Sequence, residues 1–344
     1  MLDLTLSSLV PLLIASSVAA LTSYFFMGTE ILFHFNLKDQ LFLKDIPFYI
    51  GLGIVAGFVS VHFTRAYMYI QAAMDKLKSP WTKLISGGLV LGILIFVFPP
   101  LYGEGYKTIN SLLAGNFESV LETSMFYDFK ENIYIVIGFL VMLSLLKVVA
   151  TSITFGAGGV GGIFAPTLFM GATMGFSFAK VVDLLGLKQI SLSTFTLVCM
   201  AGAIAGVLHA PLTAIFLIAE ITGGYQLFLP LMITAVIAFT TIMYFEPHSV
   251  YTIQLAKRGE LLTHHKDKTV LALLKVESLV EKNFIVMRPD DTLGDLVDAI
   301  RKSVRNIFPI VSEEGEFLGL IPLDNVRDIM FDQNKYGTTK LQEL

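Results

Sequence analysis

The chain has 344 residues, of which 54% are hydrophobic and 15% are charged, whereas roughly 25% are charged in an ordinary soluble domain. This composition argues against a purely soluble protein. The net charge of −4 provides neither a basic field for nucleic acid nor an acidic tail. The single cysteine, Cys199, excludes a disulfide framework and a multi-thiolate metal site. We therefore expect no nucleic-acid partner and no metal.

The charges are distributed unevenly along the chain. Residues 1–258 contain 13 acidic and 13 basic residues, whereas residues 259–344 contain 15 acidic and 11 basic residues in a third of that length. Most charge-free intervals of the first part reach the roughly 20 residues that cross a bilayer, which predicts an all-α polytopic membrane domain over residues 1–258. The intervals are residues 4–29, 46–64, 84–103, 132–146, 148–179, 189–219 and 221–245.

The first apolar interval is interpreted as a membrane span and not as a signal peptide. Its only preceding charge is Asp3, and the interval runs for 26 residues, whereas a signal peptide has a basic start and a short apolar core. Because the span begins so abruptly, we expect Met1 to be an internal position of a longer protein.

The charged loops predict the orientation. Residues 65–83 carry four basic residues and one acid, whereas residues 104–131 carry five acids and two basic residues. Cytoplasmic loops are enriched in lysine and arginine, so the first loop is predicted to be cytoplasmic and the second external.

Residues 156–162 contain five glycines in seven positions, which disfavours a continuous helix. Broken backbone survives at membrane depth only where it is buried in protein or lines an aqueous path. A helix is predicted to restart at about Ile163, with Pro166 in its first turn, and its N-terminal amides could bind an anion without a formal charge. The alternative is close helix packing. Packing is the preferred interpretation for the pairs Gly53/Gly57, Gly88/Gly92, Gly171/Gly175 and Gly202/Gly206.

Several motifs, in order, resemble the ClC family of chloride channels and chloride–proton antiporters. Residues 161–166, with the sequence Gly-Gly-Ile-Phe-Ala-Pro, resemble the anion motif Gly-x-Phe-x-Pro of that family. Residues 220–222 and 249–251 resemble segments of its later helices, the last of which brings a tyrosine to the central anion. The resemblance implies the second inverted repeat of the ClC fold, with broken or re-entrant helices.

The resemblance also implies which residues bind the anion. The amides of Ile163 and Phe164 would coordinate a central anion, and the hydroxyl of Tyr251, a neutral donor, would reach it from the cytoplasmic side. Taken alone, Tyr251 is more typical of an interfacial tyrosine belt than of an anion site. The full implied set is Gly162, Ile163, Phe164, Ala165, Pro166 and Tyr251.

Two further residues have open interpretations. Glu220 is flanked by long apolar intervals, and an intramembrane carboxylate is a functional candidate by default. The matching position in the family is structural and near a helix end, so a direct role in transport and a structural role both remain. His209 stands where the family often has arginine, and we interpret it as a helix-end histidine satisfied by water or carbonyl groups.

The resemblance implies transport of chloride or similar small anions by a multi-pass homodimer in the cell membrane, as a channel or as a proton-coupled antiporter. The family's Gly-Ser-Gly-x-Pro and Gly-x-Glu-Gly-Pro loops do not occur in this sequence, and the second of these carries the gating glutamate. A non-functional half-protein is therefore one alternative. A CBS-linked divalent-cation transporter is another, although it requires several carboxylates at membrane depth and only Glu220 is available. No catalytic constellation predicts an enzyme.

The remaining sequence is typical of a small soluble module. Residues 259–282 are interpreted as a linker, and residues 283–332 resemble one CBS module, which implies a cytoplasmic regulatory α/β unit. Such modules usually work in pairs, and a complete pair often binds adenine nucleotides. We expect no resident cofactor, with chloride as the transported ligand.

The elements of the module follow from its patterns. The strand-like segments 284–287, 307–311 and 317–320 alternate with the helical patterns 293–302 and 323–331, and Asp291 or Thr292 is predicted to cap the first helix. Residues 333–344 are interpreted as a linker or tail toward a second module.

Overall fold

The computed structural model describes residues 6–28, 43–222, 225–253 and 282–344, together with residues 33, 256, 277 and 280. They form two compact units, divided in the sequence between residues 261 and 262. We call them the membrane unit and the soluble unit and describe each by itself. Most of the predicted linker 259–282 lies outside the described residues.

Among the described residues, five helices of the membrane unit are long and apolar enough to cross a bilayer, which agrees with the predicted polytopic helical fold. The helices of this unit are α1 (Leu6–Met27), α2 (Ile46–Asp75), α3 (Pro80–Val97), α4 (Tyr106–Leu113), α5 (Glu118–Leu121), α6 (Ile133–Gly156), α7 (Phe164–Leu184), α8 (Leu192–Leu208), α9 (Pro211–Ile221) and α10 (Phe228–Phe245). The five spanning candidates are α1, α2, α3, α6 and α10.

Helix α8 lies at the centre of the membrane unit. All its residues from Thr194 to Val207 are buried, and the helix packs against α2, α7, α9 and α10. A helix that is apolar on every side belongs in such an interior. Helices α1 and α3 lie at the periphery, because the side chains described in α1 are exposed and only Gly87 of α3 is buried.

Three of the four Gly-x-x-x-Gly pairs lie where two helices approach closely. A Cβ atom added at Gly53, Gly171 or Gly202 would come within 2.6–2.9 Å of a neighbouring helix. The packing interpretation does not fit Gly88 and Gly92, because no described atom lies within 4 Å of a Cβ at either position.

The soluble unit contains a helix, an antiparallel strand pair and a short second helix. These elements are α11 (Leu293–Lys302), β1 (Ile307–Val311), β2 (Phe317–Pro322) and α12 (Leu323–Val326). The core includes Leu296, Phe308 and Ile321, so the inner face of α11 covers the sheet. The cap of α11 is Thr292, which forms a reciprocal capping box with Asp295.

Three details of the soluble unit differ from the sequence prediction. Strand β2 continues to Pro322, and the helix predicted over 323–331 ends at Val326 and continues as turns. The strand predicted over 284–287 is a single parallel bridge from Met287 to Ile310. The Met287 amide donates to the carbonyl of Pro309, which itself has no N–H to offer to a longer ladder.

Residues 333–344 are folded into the soluble unit, so their interpretation as a linker was wrong. The Leu293 amide donates to the carbonyl of Thr339, and the Leu341 amide donates to the carbonyl of Asp291. The side chain of Leu341 is buried in the core. Burial of this apolar side chain, together with the backbone hydrogen bonds, holds the segment against the start of α11.

We predict that the first turn of α11 loosens at acid pH. Hydrogen bonds from the Thr292 amide and hydroxyl lower the pKa of the Asp295 carboxylate. Because the pKa is lower in the folded state, the ionised carboxylate stabilises the fold at pH values above its unfolded pKa of about 4. This stabilisation is lost as the pH falls through the pKa of the folded state. Hydrogen-exchange protection factors of the α11 amides in the full chain should therefore fall from about pH 6 to about pH 3.

Two variants of α11 provide the comparison. Asp295→Asn should reduce protection at neutral pH and flatten its acid dependence. The matched variant Asp298→Asn, whose carboxylate forms only an exposed ion pair with Arg301, should retain the acid dependence. Equal acid dependence in Asp295→Asn and the unmodified chain would contradict the prediction.

Candidate anion-binding site

The helix interruption predicted from the glycines is present between α6 and α7. Helix α6 ends at Gly156 and α7 begins at Phe164. Gly158 adopts a φ of 98°, a left-handed conformation that favours glycine and ends the helical path. The new helix starts at once, because the amide and the hydroxyl of Thr167 both donate to the carbonyl of Ile163.

The interruption leaves a cluster of amides without acceptors. Within the described part of the chain, the amides of Gly161, Gly162 and Ile163 donate to no other group. The amide of Phe164 is in the first turn of α7, where no helical carbonyl precedes it. These donors and the positive end of the helix dipole together favour an anion.

The motif residues differ in exposure. Ile163 and Pro166 are buried, Phe164 and Ala165 are half-buried, and Gly162 is exposed. Pro166 is the third residue of α7, where its missing N–H leaves no helical hydrogen bond unmade. The sequence predicted the helix break and the first turn of α7 because glycine and proline restrict which backbone conformations are favourable at their own positions.

The Gly-rich segment lies between two cavities. The first, which we call the Tyr251 cavity, has a volume of about 480 Å³. The second, the Lys147 cavity, has a volume of about 540 Å³. Both are lined by Phe155, Val160, Gly161 and Gly162, so these residues form a shared wall.

The Tyr251 cavity brings Tyr251 and Ile163 to one site, although they are 88 residues apart in the sequence. Tyr251 is 62% exposed, and its ring lines the cavity beside Val250. Two residues of α2, Tyr67 and Gln71, line it as well, and the sequence analysis missed both. Their separation of four residues on one helix face was the available signal.

An ion pair secures the segment that carries Tyr251. Arg65 Nε of α2 lies 2.7 Å from Glu246 Oε1, and Glu246 is the residue that follows α10. Ser249 and Thr252 then form a local turn, with the Thr252 amide donating to Ser249. The pair therefore connects the start of the Tyr251 segment with α2, the helix that contributes Tyr67, although an exposed pair adds only about 0–1 kcal/mol.

The Lys147 cavity lies on the side of the wall that carries Gly103 and Glu104. Phe164, Ala165 and Pro166 line it from the start of α7. Lys147 itself was also missed by the sequence analysis, which treated it only as the boundary of two apolar intervals. Its position as a lone basic residue within an apolar helix was the signal that could have revealed it.

Glu220 and His209 lie outside both cavities. Glu220 is exposed in the last turn of α9, as a helix-end residue would be. His209 ends α8 in a left-handed conformation with a φ of 56°. Its Nε2 atom is buried and has no protein partner among the described residues, so the predicted carbonyl contact is not seen there.

No group of three or more potential metal ligands, counted over histidine, cysteine and the acids, occurs among the described residues. The described residues therefore offer no cluster of ligands for the divalent cation of the alternative hypothesis.

A broken helix among apolar helices is typical of polytopic transport proteins. A family model described as "Voltage gated chloride channel" matches residues 1–242, and a CBS domain model matches residues 276–332. The first match covers more than half of the chain. The protein therefore belongs to the voltage-gated chloride channel (ClC) family and carries a CBS domain, as the motifs predicted.

Curated relatives agree with this family. The voltage-gated ClC-type chloride channel ClcB of Salmonella typhi is 30% identical over 244 residues, which are 68% of this chain and 53% of the relative. The ClcB protein of Citrobacter koseri is 30% identical over 256 residues, which are 72% of this chain and 56% of the relative. The chain thus spans about half the length of the curated relatives it matches.

Solved structures show the same membrane fold. A slow cyanobacterial Cl⁻/H⁺ antiporter matches with a TM-score of 0.53 at 23% identity, over 70% of this chain and 53% of the other. A CLC-type fluoride/proton antiporter matches with a TM-score of 0.56 at 19% identity, over 74% of this chain and 57% of the other. At these identities the likeness establishes the fold alone.

Proposed function

We propose that this protein takes part in moving chloride or similar small anions across the cell membrane. The observation that carries the proposal is the position of the Gly-rich segment, which lies between two cavities and ends at the N terminus of α7. Backbone amides attract an anion through partial charges, so the anion can be bound without being held too tightly to leave.

The proposed central site combines three donors. The amide of Ile163 and the hydroxyl of Tyr251 belong to residues that line the Tyr251 cavity, whereas Phe164 lines the Lys147 cavity. Gly162 lines both, and its lack of a side chain leaves the backbone accessible. An anion that passes from one cavity to the other would leave the hydrogen-bond donors of the first cavity and bind those of the second.

Uptake of radioactive chloride into liposomes that contain the full chain tests this function. Tyr251→Ala is expected to lower the initial uptake rate about tenfold, because a hydrogen bond to a charged group contributes about 1.5 kcal/mol or more. Tyr244→Ala is the matched control, since Tyr244 is 85% exposed on α10 and lies outside both cavities. Selectivity among anions should weaken with Tyr251→Ala as well.

Two outcomes would contradict the proposal. Uptake equal to that of protein-free liposomes would favour the non-functional half-protein. Equal uptake by Tyr251→Ala, Tyr244→Ala and the unmodified chain would remove Tyr251 from the path.

The mode of transport is proposed as either a channel or a proton-coupled antiporter. The curated relatives are described as channels and the two solved structures as antiporters. A pH gradient across the liposome membrane distinguishes the modes, because only an antiporter is driven by it.

We place the soluble unit on the cytoplasmic side, as a regulatory CBS region of a homodimer. The support is the family, together with the basic loop at residues 65–83, which favours the cytoplasm. A complete pair of CBS modules would offer the site for an adenine nucleotide.

A further inference from the structure

Lys147 is a buried charge in the interior of the membrane unit. It lies near the middle of the apolar helix α6, and only 2% of its surface is exposed. Ionisable residues at such positions are costly, and they mark functional paths more often than structural ones. The proposed anion site above does not use it.

The ammonium of Lys147 forms no ion pair with a described acid, although the carboxylate of Glu104, which lines the same cavity, attracts it electrostatically. Its Nζ lies 3.0 Å from the carbonyl oxygen of Leu101, 2.7 Å from that of Gly103 and 4.7 Å from the centre of the Phe169 ring. Among the described residues, no carboxylate lies within ion-pair distance of this ammonium. Two carbonyl acceptors use two of its three donors, which leaves one for a ligand.

These contacts also hold the turn that closes the Lys147 cavity. Leu101 and Gly103 belong to the connection between α3 and α4, and Gly105 of that connection packs on Phe169. Carbonyl oxygens carry partial negative charge and repel anions. The ammonium of Lys147 donates hydrogen bonds to two of these carbonyl oxygens. It thereby reduces their repulsion of an anion and fixes the turn in place.

The cavity that Lys147 lines is the one that reaches the start of α7. Its lining includes Gly161, Gly162 and Phe164, the residues of the proposed anion site, together with the exposed Glu104. A cation beside a cavity raises the local concentration of anions and lowers that of cations, and the exposed carboxylate of Glu104 partly opposes this effect.

We propose that Lys147 is the residue that sets charge selectivity on this side of the path, as the unpaired cation beside the cavity and the anchor of the Leu101–Gly105 turn. Its ligand class is a small monovalent anion of halide size. This inference rests on the proposed function, because it assigns a role within anion transport.

The first test compares two substitutions in full-chain liposomes. Lys147→Met, which keeps the length of the side chain and removes its charge, is expected to raise the half-saturating chloride concentration at least tenfold and to reduce the preference for chloride over sodium. Lys147→Arg keeps the charge and is expected to stay within about threefold of the unmodified chain. Lys180→Met, at a half-buried lysine of α7 outside this cavity, is the control and should leave both quantities unchanged.

A second test separates charge from packing. A Lys147→Cys variant, made with Cys199→Ala, is treated after folding with a cationic or a neutral thiosulfonate reagent of similar size. The cationic adduct should restore chloride preference and the neutral adduct should not. If these variants fail to fold, Lys147→Gln, which keeps a hydrogen-bond donor for the carbonyl groups and removes the charge, provides the same comparison with Lys147→Arg.

The outcomes distinguish the two hypotheses. If the unmodified chain takes up no chloride, the proposed function fails. If the unmodified chain takes up chloride and Tyr251→Ala impairs uptake, while Lys147→Met or the two adducts show equal selectivity, the inference on Lys147 is overturned.

Discussion

Replacing Gly171 with valine is expected to destabilise the packing of helix α7 on helix α8 in the membrane unit. A Cβ at this position would lie 2.6 Å from the Cα of Met200 and 2.9 Å from the carbonyl oxygen of Cys199, both on α8. These are backbone atoms, so no rotamer change relieves the clash, and α7 must move away from the central helix. Overpacking of this kind costs about 3 kcal/mol or more, which lowers the melting temperature of a protein of this size by roughly 4 °C or more.

The matched control for this prediction is Gly92→Val on α3. It introduces the same β-branched side chain into a helix, and no described atom lies within 4 Å of the new Cβ. Thermal melting followed by size-exclusion chromatography in detergent compares the two variants. Similar melting temperatures would show that the approach of α7 to α8 is not as close as the structure has it.

Replacing the backbone amide of Phe164 with an ester is expected to cause the largest loss of anion affinity. The ester keeps the phenylalanine side chain and removes the N–H at the start of α7, where no helical acceptor uses it. It also weakens the Ile163 carbonyl as an acceptor for Thr167, an effect that the control below shares at its own position. Because a hydrogen bond to a charged group contributes about 1.5–3 kcal/mol, the chloride affinity of the site should fall roughly tenfold to hundredfold. Phenyllactic acid, introduced at position 164 of the full chain, makes this change.

An ester at Phe176 provides the control, because it removes a backbone amide in the middle of α7 with the same building block. The side chain of Phe176 is buried and lines neither cavity. That variant should lose stability without a comparable loss of chloride affinity. Chloride-35 line broadening measures binding, and thermal melting measures stability. If both esters reduce affinity equally, the Phe164 amide is not a specific ligand.

The interruption of the helix was predictable because its cause is local. Five glycines within residues 156–162 disfavour helix on their own, and Pro166 indicates a first turn, so the restart at Phe164 falls within one residue of the position expected. The cap of α11 was predictable for the same reason, since Thr292 and Asp295 are three residues apart. In both cases the residues that determine the structure lie within one turn of it.

The environment of Lys147 could not be predicted in this way. Its acceptors, the carbonyls of Leu101 and Gly103, are more than 40 residues away and belong to an irregular connection. The sequence shows the lysine but not the partners that make its burial tolerable. The same holds for Tyr67, which meets the wall only because α2 packs against α6.

Residues 333–344 show where prediction from the sequence fails in the soluble unit. Their polar composition is typical of a linker, yet Leu341 fills the core and the backbone pairs with residues near the start of α11. A single buried leucine and a few hydrogen bonds to distant residues leave no periodic pattern in the sequence. Hydrophobic periodicity therefore described the elements well and the end of the unit poorly.

The shared wall of the two cavities has a thermodynamic consequence. Since residues 160–162 face both cavities, an occupant that shifts this backbone on one side changes the room and the donors on the other. Linkage requires the effect to be reciprocal: whatever factor an ion on one side imposes on affinity across the wall, an ion on that far side imposes in return. The wall then couples the two sides, and its rigidity determines whether an ion in one cavity strengthens or weakens ion binding in the other.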